Sequence, residues 1–113
     1  MADGYNGWSN YETWLVNLWL GEGIIGDLHG VEEQARAFAE SNDSDGNFAA
    51  YEMGRWLKEQ VTEIGCGSYP TGDGLAADLL GASLSRVDWT EIAKHYTDEA
   101  IENERQQTEN ANA

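Results

Sequence analysis

Apolar residues recur at three- and four-residue intervals in five stretches of the chain, and polar or glycine-rich runs separate them. In the first stretch, Tyr11, Trp14, Leu15, Leu18 and Trp19 fall at helical spacing. Val16 and Leu20 widen the apolar arc until only Thr13 and Asn17 interrupt it. Ser9 and Glu12 have capping-box spacing, which satisfies two orphan amide donors, so a helix is predicted to start here. So wide an apolar surface predicts the buried centre of the domain. Gly21, Gly23 and Gly26 end the helix, and Ile24 and Ile25 in the connector are expected to tuck against the core.

The second helix is predicted from about Asp27 or Val31 to Glu40, with Leu28, Val31, Ala35 and Phe38 inside and Glu32, Glu33, Arg36 and Glu40 outside. After the turn-forming run from Ser41 to Gly46, a third helix is expected from Phe48 to Ile64. Its apolar stripe is Phe48, Met53, Trp56, Leu57, Val61 and Ile64, and Gly65 stops it. The residues after the stretch from Gly65 to Gly74 are too few, and too dependent on outside packing, to fold alone, so the stretch reads as a surface loop within one domain rather than a linker. A short fourth helix, about Leu75 to Leu84, offers Leu75, Leu79 and Leu80 to the core. The fifth opens on a second capping box, Asp88 with Glu91, has Val87 and Ile92 at staple positions, and buries Trp89, Ile92, Ala93, Tyr96 and Ala100. With no strand pattern and no fixed-period repeat, the expectation is an all-α bundle of about five helices around a Trp-rich core. Residues 1–105 are expected to form a single helical domain, and residues 106–113 a disordered polar tail.

Charge changes the picture more than composition does. The 113 residues carry 21 Asp and Glu against 6 Lys and Arg, a net charge of −15. Phosphate backbones and anionic membranes repel such a chain, and Arg36, Arg55, Lys58, Arg86, Lys94 and Arg105 lie singly along the sequence. Direct nucleic-acid and membrane binding are therefore expected to be absent, and a basic partner is expected. The single cysteine, Cys66, excludes an intrachain disulfide. The start of the chain lacks a signal-peptide pattern, and no stretch reaches the length of an apolar membrane span, so the cytoplasm is the expected location.

Candidate chemistry is sparse. Glu91, His95 and Glu99 recur every four residues on one side of the fifth helix and could meet a metal or serve a metal-dependent hydrolase. They lie opposite the apolar face, and metal sites ordinarily draw ligands from several elements, so a solvated polar face is the expected reading. His29 and Cys66 have no orienting third residue for a nucleophile pair. The glycine-rich loop at 65–74 lacks the Gly-Lys-Ser/Thr ending of a phosphate-binding loop. Trp14, Trp19, Trp56 and Trp89 fall on apolar faces and read as core, while Trp8 could cap the core or face a partner. No catalytic residue, metal or cofactor is expected.

The acids are better organised. Glu52, Glu59 and Glu63 lie along one edge of the third helix over roughly 16 Å at ~1.5 Å rise per residue. Glu32, Glu33 and Glu40 decorate the second helix, Asp43 and Asp45 the turn after it, and Asp98, Glu99 and Glu102 the fifth. Duplex DNA carries about one charge per 1.7 Å of axis, and rows of carboxylates on rigid helices imitate part of that pattern. Solubility and adaptation to high salt are the alternative uses of the charge; −15 exceeds what solubility requires.

Two motifs carry a resemblance. The run Tyr5-Asn6-Gly7-Trp8-Ser9-Asn10-Tyr11-Glu12-Thr13-Trp14, continued by Asn17-Leu18-Trp19-Leu20, resembles the opening of a family of small proteins from phages, plasmids and other mobile elements. Ala82 to Ala93, containing Val87-Asp88-Trp89-Thr90-Glu91-Ile92-Ala93, is similar to that family's C-terminal pattern. The resemblance implies fold and genetic context, and it transfers no catalytic residue. It implies an anti-defence role by analogy: an acidic inhibitor occupying the nucleic-acid-binding surface of a host restriction or CRISPR complex, in the host cytoplasm. The alternative is an accessory structural or adaptor protein that uses its aromatic N-terminus or its glycine-rich loops.

Overall fold

The computed structural model describes residues 5–42, 45–65 and 74–111. The elements follow the apolar rhythm: α1 is Tyr11–Gly21, α2 Leu28–Ser41, α3 Gly46–Gln60 with a π-helical turn Val61–Gly65, α4 Leu75–Arg86 and α5 Trp89–Ala111. Among the described residues the fold is all-α, with no strand beyond two isolated bridges, Tyr5 with Trp8 and Ile24 with Gly26.

Side chains cap the starts of four helices, and α4, which follows Gly74, has no side-chain cap. Asp27 accepts from the His29 N–H, and Asp45 accepts from the Asn47 and Phe48 N–H groups. In α1 the cap is Asn10 rather than Ser9: Asn10 Oδ1 accepts from the Thr13 N–H at 2.8 Å. Ser9 is drawn away because its N–H and hydroxyl both donate to the Glu91 carboxylate, 82 residues on. The second capping box is half-formed for the same reason. Asp88 Oδ1 accepts from the Glu91 N–H at 3.0 Å, but the Asp88 N–H donates to Thr13 Oγ1 instead of to Glu91.

The core lies between α2, α3 and α5, not around α1. Its fully buried side chains include Val31 and Ala35 of α2, Ala50, Met53 and Leu57 of α3, and Ile92 and Ala93 of α5. Leu20 reaches it from the end of α1. Removing a Leu, Met or Ile side chain from water is worth about 1.5–3 kcal/mol each, so these few residues supply much of the cohesion. Small residues set the spacing: Gly54 packs so closely that an added Cβ would lie 3.1 Å from the Thr90 nitrogen and the Trp89 carbonyl carbon.

Three sequence expectations are corrected here. First, α1 is peripheral, with Tyr11, Leu18 and Trp19 about half exposed, because an arc that is apolar on nearly every side cannot all be covered by one neighbouring layer. Second, no tryptophan belongs to the buried core; Trp8, Trp56 and Trp89 are half-buried and wrap it, because close helix approach at alanines and glycine leaves no room for an indole. Third, α4 buries no residue, Leu75 and Leu79 being largely exposed, and Phe48 and Ile64 at the two ends of the third stripe are exposed too.

The last helix also differs from expectation. Where the sequence predicts fading near Arg105, α5 continues to Ala111. Arg105 bridges Glu102 at 2.6 Å and Glu109 at 2.8 Å across successive turns, and no glycine or proline follows to break the helix. The Arg105 guanidinium, then the Gln106 amide, hold the Glu102 carboxyl below its ordinary range.

Candidate binding surface

Five of the acids line one groove of about 440 Å³ between α2 and α5. Helical spacing on α2 puts Glu32, Glu33, Arg36 and Glu40 on its wall, and α5 contributes Glu99 and Glu104. Tyr96 forms the floor, its ring buried and its hydroxyl donating to Asn17 Oδ1 at 3.3 Å. The Tyr96 phenol is raised above its ordinary value by burial first, then by the charges of Glu32 and Glu99. The carboxylates of two helices thus act on one point. Glu104 was missed at the sequence level because it lies just before the expected end of the helix.

The tyrosine yields a test. A raised folded-state value means that the unfolded chain loses the phenolic proton first, so stability is intact below about pH 10 and falls as pH rises beyond it. Tyr96→Phe is expected to flatten that alkaline loss. Urea unfolding at pH 7 and pH 10.5 checks it, and an unchanged difference between the two pH values in the variant would count against the assignment.

The remaining predicted acids are not part of this groove. Asp45 caps α3, Glu52 accepts from the Asn42 side chain at 3.0 Å, Asp98 pairs with Lys94 at 3.0 Å and Glu102 pairs with Arg105. Glu59 and Glu63 are exposed, and the π-helical turn takes Glu63 out of α-helical register, so the straight row of Glu52, Glu59 and Glu63 is not maintained. Asp43 lies outside the described residues, as do Cys66 and Tyr69.

The two sequence motifs fold against each other. Beside the Ser9–Glu91 and Thr13–Asp88 bonds, Asn10 Nδ2 donates to the Arg86 carbonyl at 2.8 Å and Arg86 Nε donates to Glu12 at 3.1 Å. Four consecutive polar positions of the first motif, broken only by Tyr11, are thus spent on the second. A family model of unknown function, DUF7249, matches residues 1–110. The chain belongs to the DUF7249 family. No curated protein and no solved structure matches it.

In this DUF7249 chain these bonds between the two motifs, a clasp joining the start of α1 to the α4–α5 junction, also occupy Glu91 of the metal candidate. Glu91 is bonded to Ser9, and His95 packs edge-on against the rings of Trp8 and Tyr96 at 5.6 and 5.4 Å. Among the described residues no group of three His, Cys, Asp or Glu side chains is placed to hold a metal ion. No described helix is long and apolar enough to cross a membrane.

Proposed function

We propose that this protein is a non-catalytic acidic binding protein that docks on a basic, nucleic-acid-binding surface of another protein and excludes nucleic acid from it. The observation that carries this reading is the α2–α5 groove, where five carboxylates from two helices face one another with Arg36 as the opposing charge on α2. A field of that sign steers a basic partner at long range and repels phosphate, so it favours protein over nucleic acid as the ligand. The resemblance of the two motifs to mobile-element proteins supports the partner class proposed, a host restriction or CRISPR complex. DNA mimicry here rests on a groove rather than on the edge of α3.

Binding to a purified effector complex, followed by competition with its DNA, tests the proposal. Joint Glu32→Gln, Glu33→Gln, Glu40→Gln and Glu99→Gln changes are expected to slow association by about tenfold or more at low salt, the size of lost electrostatic steering. Glu59→Gln with Glu63→Gln is expected to leave it nearly unchanged. Absence of binding to any such complex, or equal loss in both sets, counts against the reading.

A second reading, an adaptor that uses apolar contacts, is favoured by the exposure of Tyr11, Leu18 and Trp19 on α1 and of Leu75 and Leu79 on the neighbouring α4. On that reading Trp19→Ala weakens partner binding while the groove changes do not.

A further inference from the structure

The basic residues, isolated along the sequence, are not isolated in space. Lys94 and Arg105 pair with acids on their own helix, and Arg36 lies in the acidic groove. The other three, Arg55 and Lys58 on α3 and Arg86 at the end of α4, line a single cleft of about 490 Å³ where the start of α5 crosses α3. That volume is within the ~300–1,000 Å³ range of small-molecule sites. Arg55 and Lys58 are exposed and have no ion-pair partner among the described residues. Arg86 uses only its Nε on Glu12, which leaves the two terminal nitrogens of its guanidinium free of any hydrogen bond among the described residues. If these cations served only to offset the chain's charge, they would be expected to sit against its many acids, as Lys94 and Arg105 do.

We propose that this cleft binds a phosphate monoester of a small organic molecule, with Arg55, Lys58 and Arg86 holding the phosphoryl group and Tyr51 and Trp89 packing against its organic body. Three cations exceed what a single carboxylate can use. A phosphoryl group carries close to two charges and three terminal acceptor oxygens, which match two guanidinium forks and an ammonium. Trp89 and Thr90, whose N–H groups open α5 and have no acceptor among the described residues, line the same cleft. Asp88 is the one acid on its wall, and its Oδ1 is engaged by the Glu91 N–H. The exposed Tyr51 ring and the half-buried Trp89 supply a wall for the organic part. The site lies apart from the acidic groove and shares no lining residue with it.

Phenyl phosphate is the probe, titrated against the full chain by calorimetry and by the intrinsic fluorescence of the tryptophans. Saturable binding is expected, with none for phenol at the same concentrations. Arg55→Gln with Lys58→Gln is expected to weaken it about tenfold or more, since two charge-assisted contacts are removed. Both residues are exposed, so the thermal melt of that variant should overlay the parent's. Arg36→Gln, a cation lost from the other groove, is expected to leave binding unchanged. The proposal is overturned if phenyl phosphate does not saturate the chain, if the double variant binds as well as the parent, or if a glutamate-rich peptide binds at the cleft while phenyl phosphate does not.

Discussion

Gly54→Val is expected to cost about 2–3 kcal/mol of stability, the size of overpacking at a rigid contact. The Cβ position at Gly54 lies 3.1 to 3.2 Å from three backbone atoms of Trp89 and Thr90, so no side chain can swing aside to make room. Valine is the better helix former by only a few tenths of a kcal/mol, which does not offset a forced separation of α3 from α5. These two helices form the most extensive contact of the fold, so the loss should be global rather than a local fraying. Urea denaturation followed by circular dichroism measures it; a variant as stable as the parent would show that α5 can shift without cost. Gly54→Ala is the milder step, its added methyl opposed by a propensity gain of about 1 kcal/mol.

The second large effect lies in the clasp. Thr13 is fully buried, and its hydroxyl both donates to Asn10 Oδ1 at 2.8 Å and accepts from the Asp88 N–H at 2.9 Å. Thr13→Val keeps the shape and removes the hydroxyl, leaving a part-buried N–H with no acceptor at the start of α5. An unsatisfied donor of this kind costs about 1–3 kcal/mol. For a domain of this size the melting temperature is expected to fall by about 10 °C. Thr13→Ser retains both hydrogen bonds and should lose less, through the missing methyl alone. If serine and valine were equally damaging, packing rather than hydrogen bonding would explain the position.

The clasp also shows why capping spacing was legible and capping partners were not. Ser9 with Glu12, and Asp88 with Glu91, are correctly spaced for reciprocal boxes, and one bond of the second box forms. The other potential bonds are diverted to residues more than 70 positions away, as with Ser9 to Glu91 and Asp88 to Thr13. A side chain with two possible acceptors or donors follows the one that also closes the tertiary structure, and that partner leaves no mark within four residues. Asn10, by contrast, caps α1 locally and still reaches the Arg86 carbonyl with its amide, so both roles coexist.

The candidate sites divide in the same way. That Glu32, Glu33 and Glu40 share one side of α2 follows from helical period alone. That Glu99 and Glu104 face them depends on how α5 lies beside α2, and the convergence of Arg55, Lys58 and Arg86 depends on how the start of α5 crosses α3.

By itself the sequence determined the all-α class, the approximate positions of five helices, the burial of Val87 and Ile92, the buried face of α5 and the strong negative charge. These follow from short-range periodicity and from composition, which do not depend on partners. Tertiary structure alone decided that α1 is peripheral, that the tryptophans wrap the core instead of filling it, and which charges meet. The physical reason is close approach. Alanines 35, 50 and 93 with Gly54 let α2, α3 and α5 come together, and such small residues give almost no hydrophobic signal, whereas the conspicuous aromatic stretch of α1 is too broad for any one neighbour to cover.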